Sequence, residues 1–180
     1  GSRTDIVFYL GDPALKLAIP SPRINLTKVN DVPVGGPSAI DDFKSLSYIK
    51  LSGEITDENN QPLNQYNGEL LVNIFDKNIT RTTLNNDGNS TPMNFNTLGE
   101  TIFRGNASVT NGQFEFGFVV PRDISIPVGN GKISFYAKQN ILNFDKTGYN
   151  NTIKVGGINT NAATDNIAPK VKLYMNDETF

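Results

Sequence analysis

The sequence predicts an all-β protein, an Ig-like antiparallel β-sandwich with an irregular N-terminal extension. Three features support this prediction. Apolar and polar residues alternate with a period of two over several short segments, which is typical of half-buried strands. Turns rich in Gly, Asn, Asp and Pro separate those segments. No stretch has the apolar period of an amphipathic helix, so the strands must cover one another in two packed sheets.

The N-terminal quarter of the chain is irregular in pattern. Five prolines and the pair Gly35-Gly36 interrupt it, which excludes a long helix because proline fixes φ and restricts the residue before it. We assign residues 21–46 to a linker or edge strand and residues 47–157 to the sandwich. The opening Gly1-Ser2 resembles a cloning remnant, so we expect a piece of a longer polypeptide whose export signal lies upstream.

The regular alternation begins with residues 48–56. Ile49, Leu51 and Ile55 point to one side of this strand, and mostly polar side chains point to the other. A turn at residues 57–62 follows. The next strand, residues 69–75, carries apolar groups on both faces, which is typical of a central strand.

The strongest local signal lies in residues 101–120. Asn111-Gly112 separates two alternating runs, and Asn-Gly is the preferred pair of a type I′ turn because both positions need a positive φ. The turn chemistry and the apolar pattern therefore agree on a β-hairpin. Its two-residue loop would set the register, placing Val109 opposite Phe114, Ala107 opposite Phe116, Gly105 opposite Phe118 and Phe103 opposite Val120, all on one face.

Two more strands complete the predicted sandwich. They are residues 132–137 and residues 152–155, the latter ended by Gly156-Gly157. We assign residues 158–180 to a linker and the first strand of a following domain. The predicted turn consists of Asn111 and Gly112, and the predicted core consists of Ile49, Leu51, Ile55, Phe103, Ala107, Val109, Phe114, Phe116, Phe118, Val120, Ile133 and Phe135.

The composition excludes several functional classes. The chain has 180 residues, a net charge of −2 and no basic stripe, so we expect no nucleic-acid binding. It has no apolar run long enough for membrane insertion. It also has no Cys and no His, and therefore no thiolate nucleophile, imidazole base or usual zinc ligand. We expect this stretch of chain to be no enzyme and to need no cofactor.

Calcium is the one metal that the sequence leaves open. Asn85, Asp87 and Asn89 offer oxygen ligands around Gly88. The segment lacks the Asp-x-Asp spacing and the closing bidentate Glu of a calcium loop. Asn, Asp and Gly are each favoured in turns, so we expect a polar surface turn, with a calcium site as the alternative.

Other polar and aromatic residues leave two alternative functions open. Acidic pairs such as Asp41-Asp42 lie in predicted loops, and a carboxylate-only hydrolase would need two such groups facing each other across a cleft. The phenylalanines of residues 114–118 could stack on sugars. Their strict alternation with Gln, Glu and Gly favours a buried face instead. Tyr136 is a weaker candidate for surface recognition.

An ordered series of stretches resembles gingipain-like cysteine peptidases. YLGDPALKL at residues 9–17 resembles the end of the caspase-like catalytic domain in that family. Five further stretches are similar to the region that follows the catalytic domain in the cell-surface sortases of the type IX secretion system of Bacteroidota. These are LSGEITDENNQP (51–62), NGELLVNIFD (67–76), FRGNASVTNGQFEFGFVVPRDI (103–124), GNGKISFYA (129–137) and TDNIAPKVKLYMNDETF (164–180).

This resemblance implies a parent protein at the cell surface, secreted and associated with the outer membrane, whose cysteine peptidase removes C-terminal sorting signals from cargo. Residues 1–20 would be the C-terminal stub of that peptidase domain. The sandwich would be a non-catalytic structural domain, because the family's catalytic Cys and His have no counterpart here. The implied partners are the adjacent peptidase domain and secretion-system or cargo proteins. A glycan- or cargo-binding surface module and a carboxylate-only hydrolase stay open as alternatives.

Overall fold

The computed structural model of the chain describes residues 22–86, 88, 91–139, 145–163 and 168–171. These residues form strands and no helix. In chain order the strands are β1 (Ile24–Val29), β2 (Val32–Pro33), β3 (Phe43–Ser45), β4 (Tyr48–Ile55), β5 (Gly68–Phe75), β6 (Ile79–Thr82), β7 (Asn94–Thr97), β8 (Thr101–Val109), β9 (Gln113–Val119), β10 (Gly129–Asn130), β11 (Lys132–Lys138), β12 (Lys146–Asn150) and β13 (Lys154–Ile158).

Two antiparallel four-stranded sheets form the body of the molecule. Their strand orders are β2-β1-β4-β9 and β12-β11-β5-β8. If the seven main strands are lettered A to G in chain order, the sheets are A-B-E and G-F-C-D. This is the Greek-key connectivity of an Ig-like sandwich, with strand D on the C-F-G sheet. The all-β sandwich that the sequence predicts is confirmed.

The core lies between the two sheets. Inward side chains of both sheets join one cluster of buried residues. In β4, Ile49, Leu51 and Ile55 are at most 1% exposed and alternate with half-buried polar residues. β5 is a central strand, between β11 and β8. Its inward Leu70, Val72 and Ile74 are at most 1% exposed, and its outward Leu71 and Phe75 are half-buried.

Residues 101–120 are not the predicted hairpin. The turn itself is present: Thr110 and Gln113 exchange two backbone hydrogen bonds of 2.9 and 3.0 Å, and the φ values of Asn111 and Gly112 are 52° and 74°, as a type I′ turn requires. Beyond this bridge the strands separate, since β8 pairs with β5 and β9 pairs with β4 in the other sheet. The predicted register is therefore wrong: Ala107 lies opposite Leu70, and Phe116 lies opposite Leu51.

The turn is instead an arch between the sheets. Gly112 N–H donates to the carbonyl of Tyr66 at 2.8 Å, and Ile55 N–H donates to the carbonyl of Gly112 at 2.7 Å. Asn111 N–H donates to Asn67 Oδ1 at 2.9 Å. These bonds attach the turn to the ends of β4 and β5. The apolar faces of β8 and β9 therefore face each other across the core instead of lying side by side in one sheet. The ring centroids of Phe103 and Phe118 are accordingly 4.7 Å apart.

The structure buries most of the residues predicted as core. Three of the twelve, Phe103, Ala107 and Phe116, are only half-buried. They lie on β8 and β9, which are edge strands of their sheets, so this side of the sandwich is open. Gly105 makes room for the ring of Phe103, since a Cβ at Gly105 would lie 2.6 Å from Phe103 Cζ.

The sandwich begins earlier than residue 47. β1 pairs with β4 from Ile24 opposite Ile55 to Val29 opposite Leu51, and Ile24 and Val29 are at most 2% exposed. Of the two alternatives for residues 21–46, a linker or an edge strand, the structure has a strand, β1, which lies between the short β2 and β4. Residues 1–20, which the sequence assigns to a peptidase stub, lie outside the described residues.

The two ends of the sandwich differ in construction. The turn end consists of residues 57–67 and 110–112. The described chain begins beside it, where Arg23 N–H donates to the carbonyl of Thr147 at 2.6 Å and Thr56 N–H donates to that of Arg23 at 2.8 Å. The exit end consists of residues 43–48, 119–128 and 154–158, and here a small sheet of order β10-β13-β3 closes the sandwich. The chain leaves this sheet at Ile158, which is aligned with Ser45.

A two-stranded ribbon, β6 and β7, projects beyond the main sheets. Ile79 pairs with Thr97 and Arg81 with Phe95. All of its residues except Thr97 are exposed. Within the described ranges, no helix is long and apolar enough to cross a membrane.

Candidate functional site

A groove of about 600 Å³ lies over β4 and β9 and reaches the end of β8. The register of β4 and β9 places Ser52 opposite Glu115 and Glu54 opposite Gln113. The two carboxylates are therefore diagonal neighbours on the outer face of the sheet. Lys28, Ser108 and Thr110 also line the groove, so polar groups of several kinds face it.

Charge pairing already engages one of these carboxylates. Glu115 Oε2 accepts a hydrogen bond of 3.0 Å from Ser52 Oγ, and Lys50 Nζ lies 3.8 Å away from it. Lys50 Nζ also lies 2.6 Å from Asp31 Oδ1. The hydrogen bond to Asp31, together with the charges of Asp31 and Glu115, raises the pKa of Lys50 above its ordinary value.

The groove lacks the two carboxyl groups in different environments that a carboxylate-only hydrolase needs. Such an enzyme keeps one carboxylic acid protonated in an apolar setting and the other ionised. Glu115 and Glu54 both lie on the outer face of one sheet among polar neighbours, and the Glu115 side chain is 58% exposed. The arrangement can bind a polar or cationic group, but it does not separate an acid from a base.

The phenylalanines of β9 do not form a stacking platform. Phe114 and Phe118 are 3% and 5% exposed, and Phe116 is half-buried. The ring of Phe114 packs 5.5 Å from that of Phe135 on the opposite sheet. Their faces are thus covered by other side chains rather than offered to a ligand.

Tyr136 holds two strands together through its hydroxyl. The hydroxyl donates a hydrogen bond to Asp145 Oδ2, just before β12, and this bond is the main reason that the pKa of Tyr136 lies above its ordinary value. Nearby Tyr66 is only 4% exposed. Burial, with smaller contributions from Asp145 and Tyr136, raises the pKa of Tyr66 to about 12.

Paired polar groups cover the outer face of the other sheet. Glu69 Oε2 lies 2.8 Å from Lys138 Nζ, and Glu69 Oε1 accepts a hydrogen bond of 2.7 Å from Asn106 Nδ2. The hydrogen bond and charge of Lys138 lower the pKa of Glu69. These cross-strand contacts suit a solvated face and suggest no chemistry.

A buried ion pair at the exit end was not predicted from the sequence. Lys77 Nζ lies 2.6 Å from Asp76 Oδ1 and donates to the carbonyls of Ser125 at 3.0 Å and Val155 at 3.1 Å. Ser125 N–H donates to Asp76 Oδ2 at 3.3 Å. The pair therefore ties the end of β5 to the 121–128 loop and to β13. The adjacent residues Asp-Lys after a strand gave no signal of this, because any surface turn can carry them.

The calcium alternative stays a prediction. Asn85 has a φ of 46°, and its carbonyl accepts a hydrogen bond of 3.1 Å from Gly88 N–H. Asp87 and Asn89 lie outside the described residues. In the described part of the chain, no three acidic side chains gather closely enough to hold a metal ion.

Apolar side chains gather on the surface of the exit end. We call this surface the exit patch. Its members are between 39% and 62% exposed, and they are Leu46, Tyr48, Val119, Ile126, Val128 and Ile158.

Comparison with known proteins identifies a likeness in structure only. No family model matches the chain, and no curated protein matches it. The crystal structure of dimeric latent PorU from Porphyromonas gingivalis matches 95% of this chain with a TM-score of 0.69 and 27% sequence identity. Spo0M, a sporulation control protein from Bacillus subtilis, matches 75% of the chain and 49% of its own length, with a TM-score of 0.42 and 14% identity. No conclusion rests on that weaker match.

The described residues therefore have a PorU-related fold. The chain spans 16% of the PorU chain that it matches. The likeness concerns one part of a much longer polypeptide.

Proposed function

We propose that the chain is a non-catalytic structural domain of a cell-surface cysteine peptidase related to PorU and the gingipains. The parent would be a type IX secretion sortase that removes C-terminal sorting signals from cargo. The observation that carries the proposal is the likeness to PorU, which extends over 95% of the chain at a TM-score of 0.69 and 27% identity. The ordered series of similar stretches in the sequence supports the same parent.

The path of the chain supports a positional role. The described chain begins beside the turn end and leaves the small sheet at the exit end. The main strands β4, β5 and β8 contain 8 or 9 residues, and such strands are about 25–30 Å long. A sandwich of this kind holds the segments on its two sides apart by a fixed distance.

The residue types assign catalysis to another part of the parent. The 180 residues include no Cys and no His, so they cannot supply the nucleophile and base of a cysteine peptidase. The partner of the sandwich would be the peptidase domain of the same polypeptide. Its location would be that of the parent, at the cell surface.

The natural gene product offers the test. We expect a Cys/His peptidase region directly upstream of residue 3. Inserting a flexible Gly-Ser linker between residues 21 and 22 should impair processing of folded cargo, while hydrolysis of a short peptide substrate should stay within about twofold. An upstream region without a peptidase, or normal cargo processing by the linker variant, would contradict the proposal.

The polar groove favours a second candidate, a glycan- or cargo-binding module. Its hydroxyl, amide and carboxylate groups are of the kinds that hydrogen-bond polar ligands. A glycan array and a cargo pull-down with the folded chain would separate the two functions. Saturable binding that Glu115→Lys abolishes would favour the binding module, and no binding would favour the structural role.

A further inference from the structure

A second cleft, of about 410 Å³, lies between the base of the β6–β7 ribbon and the end of β12. We call it the ribbon cleft. Asn78 and Leu98 line it from the ribbon, Tyr149 and Asn151 line it from β12 and the turn after it, and Asn130 and Lys132 lie between these walls. Its volume is within the range of clefts that bind small molecules.

The strand register explains why these side chains converge. Lys132 is the first residue of β11, and Ile133 pairs with Asn150 of β12. Tyr149 pairs with Ser134, which is two residues after Lys132. Because side chains two residues apart in a strand point to the same side, Tyr149 and Lys132 both lie on the outer face of the sheet.

Backbone hydrogen bonds hold both walls in place. Gly131 N–H donates to the carbonyl of Ile153 at 3.1 Å. Asn150 Oδ1 accepts hydrogen bonds from the N–H groups of Thr152 at 3.0 Å and Ile153 at 3.2 Å, which closes the turn that carries Asn151. The pairing of β6 with β7 positions the other wall. A site whose walls are already ordered loses less entropy when it binds a ligand.

The polar side chains of the ribbon cleft have no partners in the described part of the chain. The side chains of Asn78, Asn130 and Asn151 form no hydrogen bond there, and Lys132 forms no ion pair. Elsewhere on the outer face of the same sheet, polar side chains bind one another across the strands. Free donors and acceptors are therefore concentrated at this cleft.

The residue types indicate the class of ligand. Tyr149 and Leu98, on opposite walls, are 58% and 48% exposed, so the cleft offers apolar surface to the flat face of a ring. A side-chain amide both donates and accepts hydrogen bonds, as a hydroxyl group does. Three such amides beside an exposed aromatic ring suit a sugar.

Charge distinguishes the ribbon cleft from the polar groove. Two glutamates and one lysine line the groove, whereas Lys132 is the one charged residue among the described residues that line the ribbon cleft. Asp76 and Glu100 line a neighbouring cavity that shares only Asn78 with the cleft, and Lys77 pairs with Asp76. An unpaired lysine attracts an anionic group.

We propose that the ribbon cleft binds a sugar that carries an anionic group. The sugar ring stacks on Tyr149, and its hydroxyls hydrogen-bond to the amides of Asn78, Asn130 and Asn151. Its carboxylate or phosphate pairs with Lys132. A uronate and a sugar phosphate share this chemistry. The exposed ribbon thereby forms one wall of a binding site. This activity goes beyond the structural role proposed above and does not depend on the parent protein.

A titration of the isotope-labelled 180-residue chain, followed by nuclear magnetic resonance, tests the proposal. Three probes share one ring: D-glucuronate, D-glucose 6-phosphate and D-glucose. The two anionic sugars should shift the backbone amide signals of residues 130–132 and 149–151 saturably, with dissociation constants in the millimolar range. Glucose should bind at least about fivefold more weakly, because it lacks a charge-assisted hydrogen bond to Lys132. The tighter of the two anionic sugars identifies the preferred anionic group.

Two variants assign the binding to these side chains. Lys132→Met should reduce the affinity for both anionic sugars to that for glucose, and Tyr149→Ala should weaken the binding of all three at least about threefold. Lys138→Met, which removes a charge from the far end of β11, is the control for the first. Tyr48→Ala, which removes a similarly exposed tyrosine from the other sheet, is the control for the second. Both controls should keep the affinities within about twofold.

Three results would overturn the proposal. The first is that glucose binds as tightly as glucuronate. The second is that inorganic phosphate alone shifts the same signals at the same concentrations, which would make the cleft a simple anion site. The third is tighter binding of adenosine monophosphate or of an acidic peptide than of either anionic sugar, which would assign another class of ligand.

These readouts separate the ribbon cleft from the functions proposed above. Signals of β4 and β9 report binding in the polar groove, and those of residues 130–132 and 149–151 report binding in the ribbon cleft. None of the measurements involves a peptidase. They can therefore fail while the proposed function holds, and the proposed function can fail while they succeed.

Discussion

Single glycines set how closely the chain can pack. A Cβ at Gly53 would lie 2.2 Å from Phe114 Cζ and 2.4 Å from the carbonyl oxygen of Asn25. The ring and the backbone of β1 therefore occupy the space that any other side chain would need. The alternating pattern of β4 hides this requirement, since a sequence does not show what faces a glycine.

We expect Gly53→Ala to lower the free energy of unfolding by about 1–3 kcal/mol, the usual cost of overpacking a core. Gly36→Ala is the control, because its Cβ would approach the carbonyl oxygen of Pro33 only to 3.3 Å. Urea unfolding would measure both. Equal stabilities of the two variants would contradict the packing described here.

The φ of 62° at Leu46 strains the backbone of a bulky residue and makes a second prediction. Leu46→Gly should raise the free energy of unfolding by about 1 kcal/mol, because relief of the positive φ outweighs the entropy that glycine adds to the unfolded chain. The exposed Leu84, in a loop, is the control position, where glycine should bring no gain. A destabilised Leu46→Gly would show that the side chain contributes to folding.

Tyr66 predicts a loss of stability at high pH. Its pKa is raised from 10.0 to about 12 by burial, so above pH 10 the unfolded chain releases the phenolic proton while the folded chain keeps it. Folding stability should fall between pH 10 and 12, by up to about 3 kcal/mol from this group. Tyr66→Phe should flatten that fall and the exposed Tyr149→Phe should not. If the unsubstituted chain and Tyr66→Phe lost the same unfolding free energy between pH 10 and pH 12, the loss would not originate from Tyr66.

At the scale of elements, sequence patterns set which face of a strand is buried, but not which strand is its neighbour. Asn111-Gly112 forms the turn that its chemistry favours, yet β8 and β9 pair with β5 and β4. The inward faces of β8 and β9 would be buried in either a hairpin or an arch, so the alternation of apolar and polar residues cannot distinguish the two. The choice comes from Tyr66 and Asn67, just before β5, and from Ile55 at the end of β4, which hydrogen-bond to the turn.

Long-range contacts likewise explain the other differences. β1 lies in residues 21–46, which the sequence leaves open between a linker and an edge strand, and its six residues form a strand that pairs with β4. The Asp76–Lys77 pair depends on carbonyls of Ser125 and Val155, far away in sequence. The regular strands could therefore be predicted from the local sequence, whereas the long-range pairing and hydrogen bonds between them could not.

The Asp76–Lys77 brace makes an element-scale prediction. Their side chains are only 11% and 18% exposed, and removing one partner of a buried pair costs about 3–5 kcal/mol. Lys77→Met should lower the unfolding free energy by an amount in that range. Lys138→Met breaks a surface pair, 49% and 41% exposed, and should cost at most about 1 kcal/mol. A similarly small loss of unfolding free energy in both variants would mean that the Asp76–Lys77 pair does not stabilise the 121–128 loop.

At the scale of the whole molecule, the proposed role is that of a rigid spacer with unlike ends. The turn end is polar and is closed by hydrogen bonds to Tyr66 and Asn67. The exit end is apolar and is closed by β3, β10 and β13. The two ends therefore offer different surfaces, a polar one at the turn end and an apolar one at the exit end.

The distance between the two ends tests the spacer role most directly. In this cysteine-free chain, spin labels at Asn59→Cys and Asp123→Cys would report the separation of the turn end from the exit end by pulsed electron paramagnetic resonance. A sandwich of 8- and 9-residue strands predicts one narrow distribution at about 25–35 Å. A broad distribution, or one centred well below that range, would contradict the spacer role.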